Sequence, residues 1–544
     1  MSARTELLKD TLLAVEPALC PERAVLLTRS WRETEGQPIV IRRAMGFARI
    51  LREMSIYIRP GELIVGNQAG TPRAAPVFPE YAVRWIREEL DELPKRPIDR
   101  FAVSEETKAA LRAVCGYWEG RTYQDRVTAV TRHSLPADLA TAFDFRLSTL
   151  NQVITNLSRL STGDGHIIAN YQRTMQVGLR SLIDEARRRA AALDMTRPES
   201  IDKKLFYEAV VISLEAAIEF AARFAALAER QAAGEADPSR RAELLGIAEV
   251  CRRVPAHPAR TLREAIQAYW FVHLLLQIEA NGHSISPGRF DQYLFPYYAA
   301  DLTLGRLTRE QALELVECFW LKCSEVNKVR EWAYTQYMSG YPMFQTVTLG
   351  GQTREGLDAV NDLTSVCLEA TGSLKLAQPT VVVRVHDGSP DEYLLEAAHC
   401  LLRHRGGMPG FFNDEVGVPL LLRLGVTLED ARDWCVMGCS EPQVAGRFNT
   451  GTGGASHVNL LKVLEIALNG GTNPTTGLRP CPEARDLRTF GSFVEVREAF
   501  RHQLGYYVGV LPTLDNITSL AYAELTPTPF LSAVIDHRME IGRD

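Results

Sequence analysis

The strongest constraint on this chain lies between about residues 340 and 440. Four short runs, FQTVTLGG, PTVVVRVH, MPGFFND and WCVMG, are apolar or rich in β-branched residues, and each is bounded by Gly, Pro, Asn or Asp. Runs of that length and composition read as buried strands. Apolar residues at helical spacing fill 390–404 between two of them. Helices alternating with buried strands pack as α/β layers, so the expected fold class is α/β.

Further helical spacing covers roughly 174–194, 203–231, 261–280, 308–325, 456–469 and 491–508, with Gly470-Gly471 as a stop after LLKVLEIALN. The first half therefore reads as mostly helical. QAAGEADPSRR, Gln231 to Arg241, reads as a polar surface loop between helices, and no repeat of fixed period is present. The 544 residues, 46% of them hydrophobic, can bury one large core, and a single domain is expected.

Charge excludes some functions. A net charge of -6 and a pI near 6.1 give no electrostatic case for nucleic acid or an anionic membrane. The start, MSARTELLKDTLLAVEPALC, has no apolar leader segment, and no later run is long and uncharged enough to span a bilayer, so a cytoplasmic protein is expected. Ten cysteines spread from Cys20 to Cys481 are too sparse for a disulfide scaffold. No GxxxxGK[ST] loop, HExxH helix or GxGxxG turn occurs, and GTGGAS at Gly451–Ser456 reads as a flexible loop. The eleven histidines show no paired ligand spacing, so no bound metal is expected. Cys435 and Cys439 have no third cysteine at cluster spacing.

WCVMGCSEPQ, Trp434 to Gln443, is the stretch with chemical content. In an extended segment, alternate side chains share a face, so Cys439 and Glu441 would point together while Ser440 points away. Gly438 permits a turn or close approach, and Pro442 restricts the exit. Taken alone, the stretch reads either as a structural turn or as a thiol placed beside a proton acceptor.

Its setting decides between them. GCSEPQ follows a short apolar run and precedes a glycine-rich loop and a helix. This resembles the active-site cysteine loop of glycyl radical enzymes, the pyruvate formate-lyase-like superfamily, in whose dehydratase and lyase branches G-C-x-E-P is the signature. The resemblance continues through ERAVLLTRSWRETEGQPIVIRRAMGFARIL, IRPGELIVGNQ, VFPEYAVRWIREEL, GHSISPGRFDQYLFPYY, GYPMFQTVTLGGQT, AQPTVVVRVH, GMPGFFNDE and TPTPFLSAVID, in the family's order.

The resemblance implies a ten-stranded α/β barrel, incomplete at its C-terminal end, behind a largely helical N-terminal half. One pyruvate formate-lyase-like domain would span 1–544, helical to about 335, with barrel strands and the cysteine loop over about 336–544. Cys439 matches the cysteine that becomes a thiyl radical, and Glu441 the adjacent general base. A thiol suits hydrogen-atom transfer because its S–H bond is close in strength to an activated C–H, so transfer runs both ways.

His283 and Ser284 in NGHSIS match positions that bind substrate hydroxyls, though His283 also reads as capping a helix end. His166 in GDGHIIANY matches a pocket histidine, and Phe344 falls at an aromatic pocket position or in the core. Gln378 and Arg384 read as structural. Two departures limit the substrate. Gly453 stands where diol dehydratases carry an acid. Thr452 resembles the threonine of choline-cleaving members, yet Ser456 replaces their tyrosine. Gly438 before Cys439 disfavours formate acetyltransferase chemistry, which uses two adjacent cysteines.

No R-V-[SA]-G-Y-type loop occurs in the 544 residues, so the C-terminal glycine radical domain is expected to be absent from this chain. The glycyl radical would then sit on a separate segment or chain and be installed by a radical S-adenosylmethionine activating enzyme, under anaerobic conditions. A homodimer and a small-molecule substrate follow from the family's habit. The expected activity is a lyase breaking C–O or another C–X bond, with dehydration as the nearest reaction. An arylacetate-type radical decarboxylase and a catalytically inactive homologue or partner subunit are the alternatives.

Overall fold

The computed structural model describes residues 1–143, 151–155, 162–447, 456–481 and 485–544. Three of the apolar runs form one parallel sheet: β1 (Thr346–Gly350), β2 (Thr380–Val385) and β3 (Gly410–Asn413), hydrogen-bonded in that order. Val347 faces Val381, and Val383 faces Phe411. Helix α1 (Asp362–Leu374) connects β1 to β2, and α2 (Asp391–His404) connects β2 to β3. Parallel strands need such crossovers, and the crossovers cover the sheet. β1, TVTLG, alternates polar and apolar residues yet is buried at every position, its two threonine hydroxyls bonding the backbone of Gly438 and Val436. β3 is the edge strand, and Phe411 there remains 46% exposed.

The sequence reading passed over α1. Nine of its thirteen residues are buried, so no polar face marks its period. Its start is nonetheless capped by Asn361, whose side chain accepts from the backbone of Leu363 and Thr364.

Most of the chain before residue 335 is helical, including Tyr171–Ala191, Glu199–Gly234, Leu262–Glu279 and Arg309–Glu325. Leu262–Glu279 is buried at every position except Arg263, as expected of a helix apolar on all sides. The family barrel's ten strands exceed the three that hydrogen-bond in this sheet, while the α/β class and the helical first half are both observed.

Three local expectations change. The loop foreseen from Gln231 to Arg241 shrinks to residues 235–237, because helices end at Gly234 and restart at Pro238 under an Asp237 cap. The last long helix runs on from Phe493 to Leu525, through Pro512. Helix Leu460–Leu468 starts late because His457–Val458 pairs as a strand with Ile154–Thr155.

A buried ionic cluster ties the N-terminal helices to the last residues. Glu80 pairs with Arg23 at 2.7 Å and with Arg43 at 2.9 Å. Glu279 accepts from the backbone of Phe530 at 2.8 Å and Leu531 at 2.9 Å. Burial pushes the Glu279 carboxyl up from 4.5 to about 8. A raised acid favours the folded state while protonated: that contribution is full below the unfolded value and is lost as pH rises through about 8. At ~1.4 kcal/mol per pH decade, about 5 kcal/mol is at stake. Melting temperature is expected to fall between roughly pH 5 and pH 8, and Glu279→Gln to flatten that fall. An equal fall in the variant would assign the effect to other groups.

Candidate active site

The cysteine–glutamate stretch is not the single extended run expected from the sequence. β4 (Cys435–Met437) and β5 (Glu441–Gln443) pair antiparallel, with Met437 opposite Glu441, so residues 438–440 form the turn of a hairpin and Cys439 occupies its middle. The reason is Gly438, whose φ of +60° is a left-handed conformation that turns the chain back. A Cβ there would also lie 2.8 Å from Ser284 Oγ.

The hairpin hangs on β1 and on the 283–286 segment. Gly438 N–H donates to Ser286 Oγ at 2.9 Å, and Ser286 Oγ donates to Phe344 O at 3.2 Å. Thr346 Oγ1 donates to Gly438 O, and Val436 N–H donates to Thr348 Oγ1 at 2.9 Å. Buried donors and acceptors paired this way fix the turn far more firmly than its own two short strands could.

Around it the structure brings together every predicted site residue that it describes. His166 N–H donates to His283 O at 2.9 Å, and Ile167 N–H to Ser284 O at 3.3 Å. The two imidazoles meet edge to face with centroids 4.7 Å apart. His166 Nε2 lies 3.7 Å from Glu441 Oε1. Phe344 is half-buried, with its ring 6.1 Å from His283. His283 does not cap a helix: Leu262–Glu279 has already ended, and the ring is buried against Tyr334, whose hydroxyl is 3.3 Å from both ring nitrogens. Ser284 Oγ is buried without a hydrogen-bond partner among the described residues and faces the Gly438 turn. His166, Ser284 and Phe344 all adopt positive φ, at +52°, +61° and +49°. Such conformations cost energy in non-glycine residues, and their convergence marks a site held in shape by its surroundings.

Burial sets the charge states. It pulls His283 well below the ordinary imidazole range, reinforced by His166, Arg330 and Lys328, and lowers His166 against the opposing pull of Glu441. Both rings are therefore neutral near pH 7. Cys439 is the exposed thiol of the ten, and the other nine are buried. Partial burial and the Glu441 carboxylate raise its pKa, keeping it a thiol. Burial likewise pushes Tyr334 up to about 12, with Cys439 among the groups that act on it.

Thr452 and Gly453 lie outside the described residues. Ser456 is buried and donates to Asp515 at 3.1 Å. Gln378 and Arg384 sit in structural roles: Gln378 Oε1 accepts from Gln345 N–H at 3.0 Å, and Arg384 pairs with Asp414 at 2.7 Å. Tyr334, Ser286 and Thr346 are the contributors that sequence reasoning missed. Tyr334 carries no motif, and the two hydroxyls act on backbone atoms from distant segments. Among the described residues, no group of three His, Cys, Asp or Glu side chains is arranged to hold a metal ion.

Comparison with known proteins places this geometry. The pyruvate formate lyase-like family matches residues 1–544. The probable dehydratase YbiW of Escherichia coli is 38% identical over 99% of this chain and 66% of its own length. The (2S)-3-sulfopropanediol dehydratase of Klebsiella oxytoca is 36% identical over 96% of this chain and 63% of its own. The B12-independent glycerol dehydratase from Clostridium butyricum, solved with glycerol bound, superposes with a TM-score of 0.93 at 38% identity, over 100% of this chain and 67% of that one. The chain thus spans about two thirds of the length of these relatives. With a family match over residues 1–544 and relatives above the level at which fold and ancestry are shared, the chain belongs to the pyruvate formate lyase-like family of glycyl radical enzymes.

Proposed function

We propose that this chain carries the substrate-activating portion of a glycyl radical lyase, and that its reaction is elimination from a small polar metabolite, with dehydration as the first choice. The observation that carries this reading is the exposed Cys439 thiol at a hairpin tip beside the Glu441 carboxylate, which itself lies 3.7 Å from the neutral His166 imidazole. A glycyl radical would supply the acceptor for the Cys439 hydrogen atom. A thiol at the tip of a turn, with its sulfur accessible, fits that exchange.

The residues present then divide the work. Cys439 takes a hydrogen atom from a carbinol carbon and later returns it. Glu441 takes the proton of that carbon's hydroxyl, which weakens the neighbouring C–O bond. The leaving hydroxyl departs as water after receiving a proton from the Glu441–His166 pair, whose closest atoms are 3.7 Å apart. His283, Ser284, Phe344 and Thr452 are assigned to holding the substrate, the first two through hydroxyl hydrogen bonds. Further parts of this reading are a separate radical S-adenosylmethionine activase, a homodimer, a cytoplasmic setting and a helical part to about residue 335 ahead of the barrel part. No described helix is long and apolar enough to cross a membrane.

The decarboxylase alternative calls for a second carboxylate or a basic clamp facing Cys439. The charge that acts on Cys439 among the described residues is that of Glu441, which favours elimination. In the presence of a glycine-loop segment and activase, Glu441→Gln is expected to leave the organic radical at its normal yield by electron paramagnetic resonance while lowering turnover at least about a hundredfold, the usual size of a lost general base. Full activity in that variant would remove Glu441 from the mechanism.

A further inference from the structure

Behind the hairpin lies a second set of reactive side chains that the proposed reaction does not use. Tyr171, Tyr269, His273, Tyr293 and Cys435 are all 5% exposed or less. Their hydrogen bonds have a fixed direction. Gln345 Nε2 donates to Cys323 O at 2.9 Å, so Gln345 Oε1 is the acceptor that stands 2.8 Å from His273 Nε2. His273 Nε2 therefore carries its hydrogen, Nδ1 holds the lone pair, and the Tyr171 hydroxyl, 2.9 Å away, donates to it. Burial keeps this imidazole neutral, pulling it down to about 4.

Tyr171 also stacks on Tyr269, with centroids 4.1 Å apart and planes at 13°. Burial raises the Tyr269 phenol, and Tyr171, Tyr293, Cys323 and Cys435 act on it in the same direction. The Tyr293 hydroxyl and the Cys435 sulfur flank one point: a Cβ added to Gly288 would lie 3.3 Å from the first and 3.4 Å from the second. Cys435 begins β4, the strand that leads to Cys439. A continuous group of oxidisable side chains thus runs from the cysteine hairpin to Tyr171 and stops at His273.

What separates Tyr171 from its neighbours is its partner. A phenol that loses an electron must also lose its proton, and in a dry interior only a base within hydrogen-bond reach can take it. Tyr269 donates to the carbonyl of Pro287, which cannot accept a proton outright. Tyr171 donates to an imidazole nitrogen, which can.

We propose that Tyr171, paired with His273, is a one-electron donor that takes over a radical straying from Cys439, holding it inside the protein when no substrate is present. This rests on the reading of Cys439 as a thiyl carrier. The Cys439 sulfur radical gains one electron through Cys435, Tyr293 and Tyr269 and one proton from solvent, becoming a thiol. Tyr171 loses one electron, and its phenolic proton passes to His273 Nδ1, leaving a tyrosyl radical beside an imidazolium. Because a cation is costly in that interior, the proton is returned readily and the hand-over is reversible.

The test needs no glycyl radical, because Cys439 is the exposed thiol of the ten. S-nitrosylated Cys439 in the 544-residue chain is photolysed without oxygen; homolysis releases nitric oxide and leaves the thiyl radical in place. A tyrosyl signal by electron paramagnetic resonance is expected, absent in Cys439→Ala and in Tyr171→Phe. In His273→Gln, which keeps an acceptor but not a base, the yield of that signal should fall at least about tenfold, equivalent to ~1.4 kcal/mol. Melting curves identify any variant that has merely unfolded, and the His273→Gln comparison then decides. Nitric oxide release without a tyrosyl signal, or a signal unchanged in Tyr171→Phe, overturns the proposal while leaving Cys439's role in turnover untouched. Loss of turnover in Glu441→Gln or Cys439→Ala bears on that role alone.

Discussion

Cys439→Ala is expected to lose all turnover in a system that also holds a glycine-loop segment and activase, because no other thiol of the chain is exposed to take its place. Two readouts separate this from general damage. Alkylation by iodoacetamide should modify one thiol quickly in the native protein and none in the variant. The alkylation rate of the native protein should also rise only at pH above the ordinary thiol range of about 8.5, since burial and the Glu441 carboxylate both raise Cys439. Glu441→Gln removes one of those two causes and should move the profile toward lower pH. Measurable turnover in Cys439→Ala would favour the reading of this chain as a non-catalytic partner, and several fast-reacting thiols would contradict the burial of the other nine.

The largest loss of stability is expected from Arg384→Ala. The Arg384 guanidinium is fully buried, with Nε donating to Asp414 Oδ1 at 2.7 Å. Nη1 and Nη2 donate to the carbonyls of Trp434 and Arg432, each at 2.7 Å. Those carbonyls lead directly into β4, so one side chain on β2 holds the base of the cysteine hairpin. Removing it strands a buried carboxylate and two carbonyls, a change that costs about 3–5 kcal/mol. Urea unfolding should show that loss, and Arg384→Lys, which keeps the charge but not the three-way fork, should fall between. A loss under ~1 kcal/mol would show that the pair is replaceable by water or repacking.

The legibility of this chain varied with how local each cause was. β1 and β2 were readable because buried strands carry short runs of apolar and β-branched residues, β3 because its run is short and bounded by Gly, Asn and Asp, and the helix at 391–404 because a retained polar face leaves its spacing visible in neighbouring residues. α1 was not, since burial on nearly all sides erased the polar face that reveals a period. Cys439 and Glu441 were identified from their motif, yet the expected geometry was wrong. Alternation assumes one extended strand, whereas Gly438 at positive φ turns the chain and makes Glu441 the first residue of the returning one.

The residues that hold the site are further from sequence reach. Ser286, Thr346 and Thr348 are ordinary hydroxyl residues until folding puts them against the backbone of a hairpin some ninety to a hundred and fifty positions away, as Thr346 and Ser286 are to Gly438. Tyr334 acquires meaning only beside His283, and Tyr171 only beside His273. By itself, then, the sequence determined the α/β class, the helical first half, the family and the thiol with its carboxylate, because each is carried by local composition or by a contiguous motif. The tertiary structure alone decided the hairpin, the neutral state of the histidines and the direction of the Tyr171–His273–Gln345 hydrogen bonds. Those depend on burial and on partners distant in the chain, and a side chain's charge and proton position are properties of its surroundings.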